Sequence, residues 1–171
     1  MTLRSLESLP NSSKLWVVGL SSPLSDSQSE SLGLSLSTLL SDWIHKGQHY
    51  SPAYAILFKQ VIVIAEESMA QQASGCAIDG LMKRLEAITT RLSMQKINPT
   101  ESILWTNDQH NYRVSLKSEI PLLVENKSLQ PASLIADFSL ETLGQLRSQG
   151  LFKSCDTTWI GKRYFDSSVI R

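Results

Sequence analysis

The residues best suited to chemistry lie in one stretch, Ser74-Gly75-Cys76-Ala77-Ile78-Asp79. Cys76 is the strongest nucleophile the segment offers. If Ser74 caps a helix, Cys76 falls in the first turn, where unpaired backbone N–H groups and the helix dipole favour negative charge and hence a thiolate. Successive helical residues turn by about 100°. Cys76 is therefore expected roughly opposite Ile78, Leu81 and Leu85, with Asp79, Gly80 and Lys83 on its own side. Upstream, Glu66-Glu67 closes an apolar run and offers a carboxylate as general base. The expected pocket lies where that strand end meets the helix start. Cys76 is its nucleophile or ligand-contacting thiol, the Ser74-Gly75 backbone holds an anion, and Glu67 or Asp79 orients or deprotonates.

The competing reading is structural, since a free cysteine is often buried as a small hydrophobe. His45, His49 and His110 reach Cys76 only through the fold, and His45 is retained as a ligand-contacting residue. Trp159 and Arg163, four apart, would share a helix face as a further ligand contact or as a tail folded onto the body. No two metal-ligating residues stand at a recognised short spacing, so neither a metal nor another cofactor is expected.

The positioning elements follow from periodicity and capping. Lys14–Leu20 reads as a buried strand. Ser25 and Gln28 form a capping-box pattern before a helix whose stripe is Leu32, Leu36, Leu39, Leu40 and Trp43, running to about Lys46 with Gly47 as its C-terminal cap. Tyr54–Phe58 and Val61–Ala65 read as two strands around Lys59-Gln60. Ile78, Leu81, Met82, Leu85, Ile88 and Leu92 form the most regular helical stripe. Ile103–Trp105 and Tyr112–Leu116 suggest a hairpin, and Ser139 opens a helix stopped at Gly150.

The resulting expectation is one α+β domain over residues 1–171. Its antiparallel sheet has helices on one face, in split β-α-β (ferredoxin-like) order, with a C-terminal hairpin and helix as an extension. The chain has 171 residues, 42% hydrophobic and 19% charged, with 16 basic and 16 acidic side chains. That balance describes a soluble protein and argues against nucleic acid as a main partner. The apolar runs are too short for a membrane span, and the first residues lack the apolar core of a signal peptide, so a cytoplasmic location with free thiols is expected. No phosphate-binding loop, dinucleotide fingerprint, nucleophile elbow or H-E-x-x-H motif occurs.

These residues resemble a small bacterial family of similar length whose members are often labelled ABC transporter ATPase. Its marker, S-G-C-S-I-D, corresponds to Ser74–Asp79, and its preceding acidic pair and serine correspond to Glu66-Glu67-Ser68. Trp43, His45 and Gly47, and the ending Trp159, Arg163 and Phe165, match further. This chain has Ala77 where the pattern has serine, so a hydroxyl there is not required, and Glu66-Glu67 where it has Asp-Glu. The resemblance points to the same site and implies no particular reaction; the label itself lacks the phosphate-binding loop it would need. The alternative function is a non-catalytic adaptor domain that binds a protein through a sheet edge or a groove beside the leucine-rich helix.

Overall fold

The computed structural model describes residues 5–45, 47–50, 52–67, 74–108 and 111–166. The chain divides into two compact units, Met1–Lys96 with Ser139–Ser148, and Ile97–Phe138 with Gln149–Arg171. Strands and helices in both give an α+β fold. Among the described residues no helix is long and apolar enough to cross a membrane.

The first unit is built on β1 (Lys14–Gly19), β4 (Pro52–Leu57) and β5 (Val61–Glu66), antiparallel in the order β1-β5-β4. Every residue of β5 is buried, as expected of a continuous apolar run at the centre of a sheet covered on both faces. On one face Ile62 and Ile64 join Trp16, Val18, Tyr54 and Ile56 beneath α1 (Asp26–Ser41) and α2 (Gly75–Arg91). The anticipated antiparallel sheet with helices on one face is thus present, with β5 between β1 and β4, while the ferredoxin-like order is not completed. Among the described residues no fourth strand lies along the free side of β1. Only isolated bridges occupy its ends, Lys14 with Thr142 and Leu20 with Lys96.

Helix α1 starts on the predicted capping box. The Gln28 N–H donates to Ser25 Oγ at 3.2 Å and the Ser25 N–H donates to Gln28 Oε1 at 3.0 Å. Its serine-rich composition is accommodated by hydroxyls bonding back onto the helix, Ser35 to Ser31 O at 2.9 Å and Thr38 to Leu34 O at 3.1 Å. Packing supplies what propensity does not. Leu32, Leu36, Leu39 and Leu40 are buried, each worth about 1.5–3 kcal/mol.

The helix ends at Ser41, short of the expected Lys46, which lies outside the described residues. Trp43 turns inward beyond the helix end. Its ring meets Trp16 edge-on at 5.9 Å and lies over Tyr50 at 4.5 Å. Between these aromatics β2 (Ile44–His45) pairs with β3 (Gln48–His49), and Gly47 takes φ +80° in that hairpin instead of capping α1. The left-handed conformation inferred for Gly47 is present, in a different turn.

Leu57 pairs with Val61, so Phe58–Gln60 joins β4 to β5, with Phe58 and Lys59 at φ 54° and 53°. Two left-handed non-glycine residues cost about 1–2 kcal/mol each. Neighbouring bonds hold them. The Leu24 N–H donates to Lys59 O at 2.7 Å, the Leu20 N–H to Gln60 O at 2.8 Å, and Lys59 Nζ meets Asp26 Oδ1 at 2.6 Å. That hydrogen bond, with the lysine's charge, holds the Asp26 carboxyl below its ordinary range. A carboxyl depressed in the folded state adds stability above its unfolded pKa of about 3.9, and the contribution disappears as pH falls through the folded value. Asp26→Asn is therefore expected to lower the urea midpoint at neutral pH, with the difference from the parent shrinking progressively as pH falls below about 3.9. An offset that stayed constant across this range would contradict the assignment.

Segment Ser139–Ser148 returns to the first unit with the start of α4 (Leu143–Gln149). The Leu15 N–H donates to Glu141 O and the Leu143 N–H to Ser13 O, both at 2.9 Å, and Arg147 Nη1 donates to Asn11 Oδ1 at 2.6 Å.

The second unit carries β6 (Ser102–Thr106), β7 (Arg113–Leu116), β8 (Leu134–Ala136) and β9 (Phe152–Ser154), ordered β7-β6-β8-β9. The anticipated β6–β7 hairpin is present. The other side of β6, which the split order would have put beside β1, pairs instead with β8. Helices α3 (Ile120–Glu125) and α5 (Trp159–Tyr164) bring Ile120 and Ile160 to a core of Ile103, Trp105, Leu129, Ile135 and Cys155.

Candidate functional site

Helix α2 begins where the sequence places it. Ser74 is extended, at φ −65° and ψ 155°, and its hydroxyl accepts from the Ala77 N–H at 3.3 Å. The Ser74 carbonyl also accepts, from the N–H groups of Ala77 at 2.9 Å and Ile78 at 3.0 Å. The Gly75 and Cys76 N–H groups come before Ala77, the first to reach the Ser74 carbonyl, and by helix geometry have no intrahelical acceptor.

The buried face of α2 is Ala77, Leu81, Leu85 and Thr89, while Ile78, Met82, Ile88 and Leu92 are half-buried. Its centre is thus rotated towards Ala77, which the hydrophobic stripe omitted because alanine carries a weak apolar signal. The rotation leaves Cys76 exposed, beside exposed Asp79 and Lys83 and half-buried Gly80. Ala77 is 2% exposed, so this side chain points into the core rather than towards a ligand at the turn. Among the described residues nothing lies within 4 Å of a Cβ built on Gly75.

The two cysteines differ sharply. Both are free thiols, but Cys155 is fully buried, and burial pushes its thiol pKa up. An acid whose pKa is raised on folding favours the folded state below the unfolded pKa and loses that contribution as pH rises through the folded value. Cys155 is thus a packing residue held as a neutral thiol.

The structure brings Ser74, Gly75, Cys76 and Asp79 together in the opening of α2. Glu67 is half-buried just beyond β5, and residues 68–73, including Ser68, lie outside the described residues. Glu66, taken from the sequence as half of a strand-end acidic pair, is only 2% exposed, opposite Lys14 and Pro52 in the sheet register. Alternation along β5 does not reveal this, because both faces of the strand are covered. Glu66 and Glu67 both have interaction partners.

The remaining predicted residues lie elsewhere. His45 is in β2, His49 is exposed in β3, and His110 lies outside the described residues. Trp159 and Arg163 belong to the second unit and do not act as one stacking pair. The Lys117 ammonium lies 5.7 Å from the Trp159 ring, whereas the Arg163 guanidinium lies 5.5 Å from Tyr164. Tyr164 and Phe165 do fold back onto their unit's core, as does Ile160.

No group of three or more His, Cys, Asp or Glu side chains capable of holding a metal occurs among the described residues. The first unit has two concave features, the second of them beside the leucine-rich α1, where a protein-binding groove is anticipated. One is a recess of about 170 Å³ whose lining combines Ser21, Ser22, Gln28 and Gln95 with apolar Leu24 and Met94, among others. The other is a groove of about 500 Å³ between α1 and α2, lined by Leu34, Ser35, Thr38, Arg84, Ile88 and Arg91 among others. Their walls come from segments far apart in the chain, and no local spacing announces them. Comparison of the chain with models of protein families, with curated proteins and with solved structures gave no match.

Proposed function

We propose that the first turn of α2 is the working site of a small cytoplasmic protein, which uses Cys76 to contact or attack a small anionic ligand. The observation that carries this reading is the exposure of Cys76 in a capped helix start, while the other cysteine is sealed in a core. The Gly75 and Cys76 N–H groups supply donors for the anionic part of the ligand, and the helix dipole has the matching sign. Cys76 is the nucleophile, Asp79 orients the ligand or takes a proton, and Glu67 is the alternative base. No described residue fills the space a Cβ at Gly75 would take. The resemblance to the S-G-C-S-I-D family supports the same stretch.

Anionic and neutral alkylating reagents test this reading directly. In the folded protein, iodoacetate relative to iodoacetamide is expected to modify Cys76 about 2- to 5-fold more favourably than in the urea-unfolded chain, the effect of a terminal helix charge of about 0.3–1 kcal/mol. Intact mass should show a single adduct, absent in Cys76→Ser, with Cys155 reacting only after denaturation. An unchanged reagent ratio, or a Cys76 that is inert until unfolding, would remove the site.

A further inference from the structure

We infer that the groove between α1 and α2 is a docking surface for an acidic amphipathic helix of a partner protein. This goes beyond the thiol site and uses none of its residues. Leu34 is 67% exposed, the most exposed large apolar side chain among the described residues. It stands on the groove wall with exposed Ala87 and half-buried Ile88. An apolar ridge in this position is what a helix-binding groove presents to the apolar face of its ligand.

The charge on the groove is one-sided. Among the described residues Arg84 and Arg91 line it and no carboxylate does, although the chain as a whole carries no formal net charge. Elsewhere in this unit Lys59 pairs with Asp26 and Lys96 with Glu86. Arg84 makes no ion pair or hydrogen bond among the described residues, and Arg91 Nη2 only donates to the neutral Ser35 Oγ at 3.2 Å. The protons of the Ser35 and Thr38 hydroxyls are spent on α1 carbonyls, so the arginines are the donors left for a partner.

Two further facts select a helix. Arg84 and Arg91 are seven residues apart, two turns and about 10.5 Å along α2, which matches acids seven apart on a second helix. A trough between two packed helices receives the side-chain ridge of a third. A second copy of this chain fits less well, because a two-fold contact of groove on groove sets the arginines against one another. An anionic membrane would call for a larger basic cluster than two arginines.

The test uses the full chain and a fluorescent synthetic helix of about 18 residues, with leucines along one face and glutamates seven apart beside it. Saturable binding is expected in anisotropy, weakened about ten-fold or more by Arg84→Glu with Arg91→Glu and by about 0.5 M salt. A peptide with lysines in place of the glutamates should bind the parent poorly and the doubly reversed variant well. This charge exchange separates lost recognition from a misfolded variant, and Leu34→Ser should weaken binding in both pairings. No saturable binding, equal binding of both peptides, or arginine-dependent binding only to phosphatidylglycerol vesicles would overturn the inference. So would dimerisation of the free chain that the arginine reversals abolish.

Discussion

Gly161→Ala is expected to destabilise the second unit by at least about 2 kcal/mol, although alanine normally favours a helix. A Cβ at position 161 would overlap the backbone of Asp156, including its Cα, its carbonyl oxygen and, at 2.5 Å, its carbonyl carbon. No side chain can rotate to relieve that overlap. Either α5 or the 3-10 turn Cys155–Thr157 must shift as backbone. The two are tied together. Thr158 caps α5 by accepting from the Ile160 N–H at 3.2 Å, and its own hydroxyl donates to Cys155 O at 2.7 Å. Moving α5 withdraws fully buried Ile160 from the core it shares with Cys155 and Ile120. Gly80→Ala supplies the control. That helical glycine has nothing within 4 Å of an added Cβ, so the substitution is expected to stabilise by up to about 1 kcal/mol. Urea unfolding followed by circular dichroism compares the two, and equal effects would mean that the contact between α5 and Asp156 is not as close as described.

Trp43→Ala is expected to cost the first unit about 3–5 kcal/mol. The side chain is 3% exposed between Trp16 and Tyr50, so truncation removes transfer energy, leaves a cavity and breaks two aromatic contacts. The loss extends to the backbone. The Tyr50 N–H donates to Trp43 O at 3.1 Å, flanking a hairpin of only two paired residues per strand. So short a hairpin is not stable by itself and depends on the aromatic clasp beside it. Amide exchange across residues 44–49 should therefore rise more in Trp43→Ala than in Leu36→Ala, which removes core volume without touching the clasp. A change in unfolding free energy below about 1 kcal/mol would show that the tryptophan is not packed as found.

Features that depend on near neighbours are legible before the chain folds. The Ser25–Gln28 capping box, the Ser74 cap, the leucine faces of α1 and α2 and the apolar run of β5 are set by spacings of a few residues, and the structure reproduces each. The exposure of Cys76 follows from the same helical phase. Tertiary structure decided which long-range partner each element takes. Ile103–Trp105 and its hairpin with β7 are legible, but its second partner, β8 rather than β1, depends on backbone hydrogen bonds that any strand can make. Glu66 looks solvated in sequence and is buried because both faces of β5 are covered; Trp43 continues the stripe of α1 numerically but packs from outside the helix. The unpaired arginines of the α1–α2 groove and the forced glycine at 161 were likewise invisible, since each is defined by atoms brought close only when the chain folds.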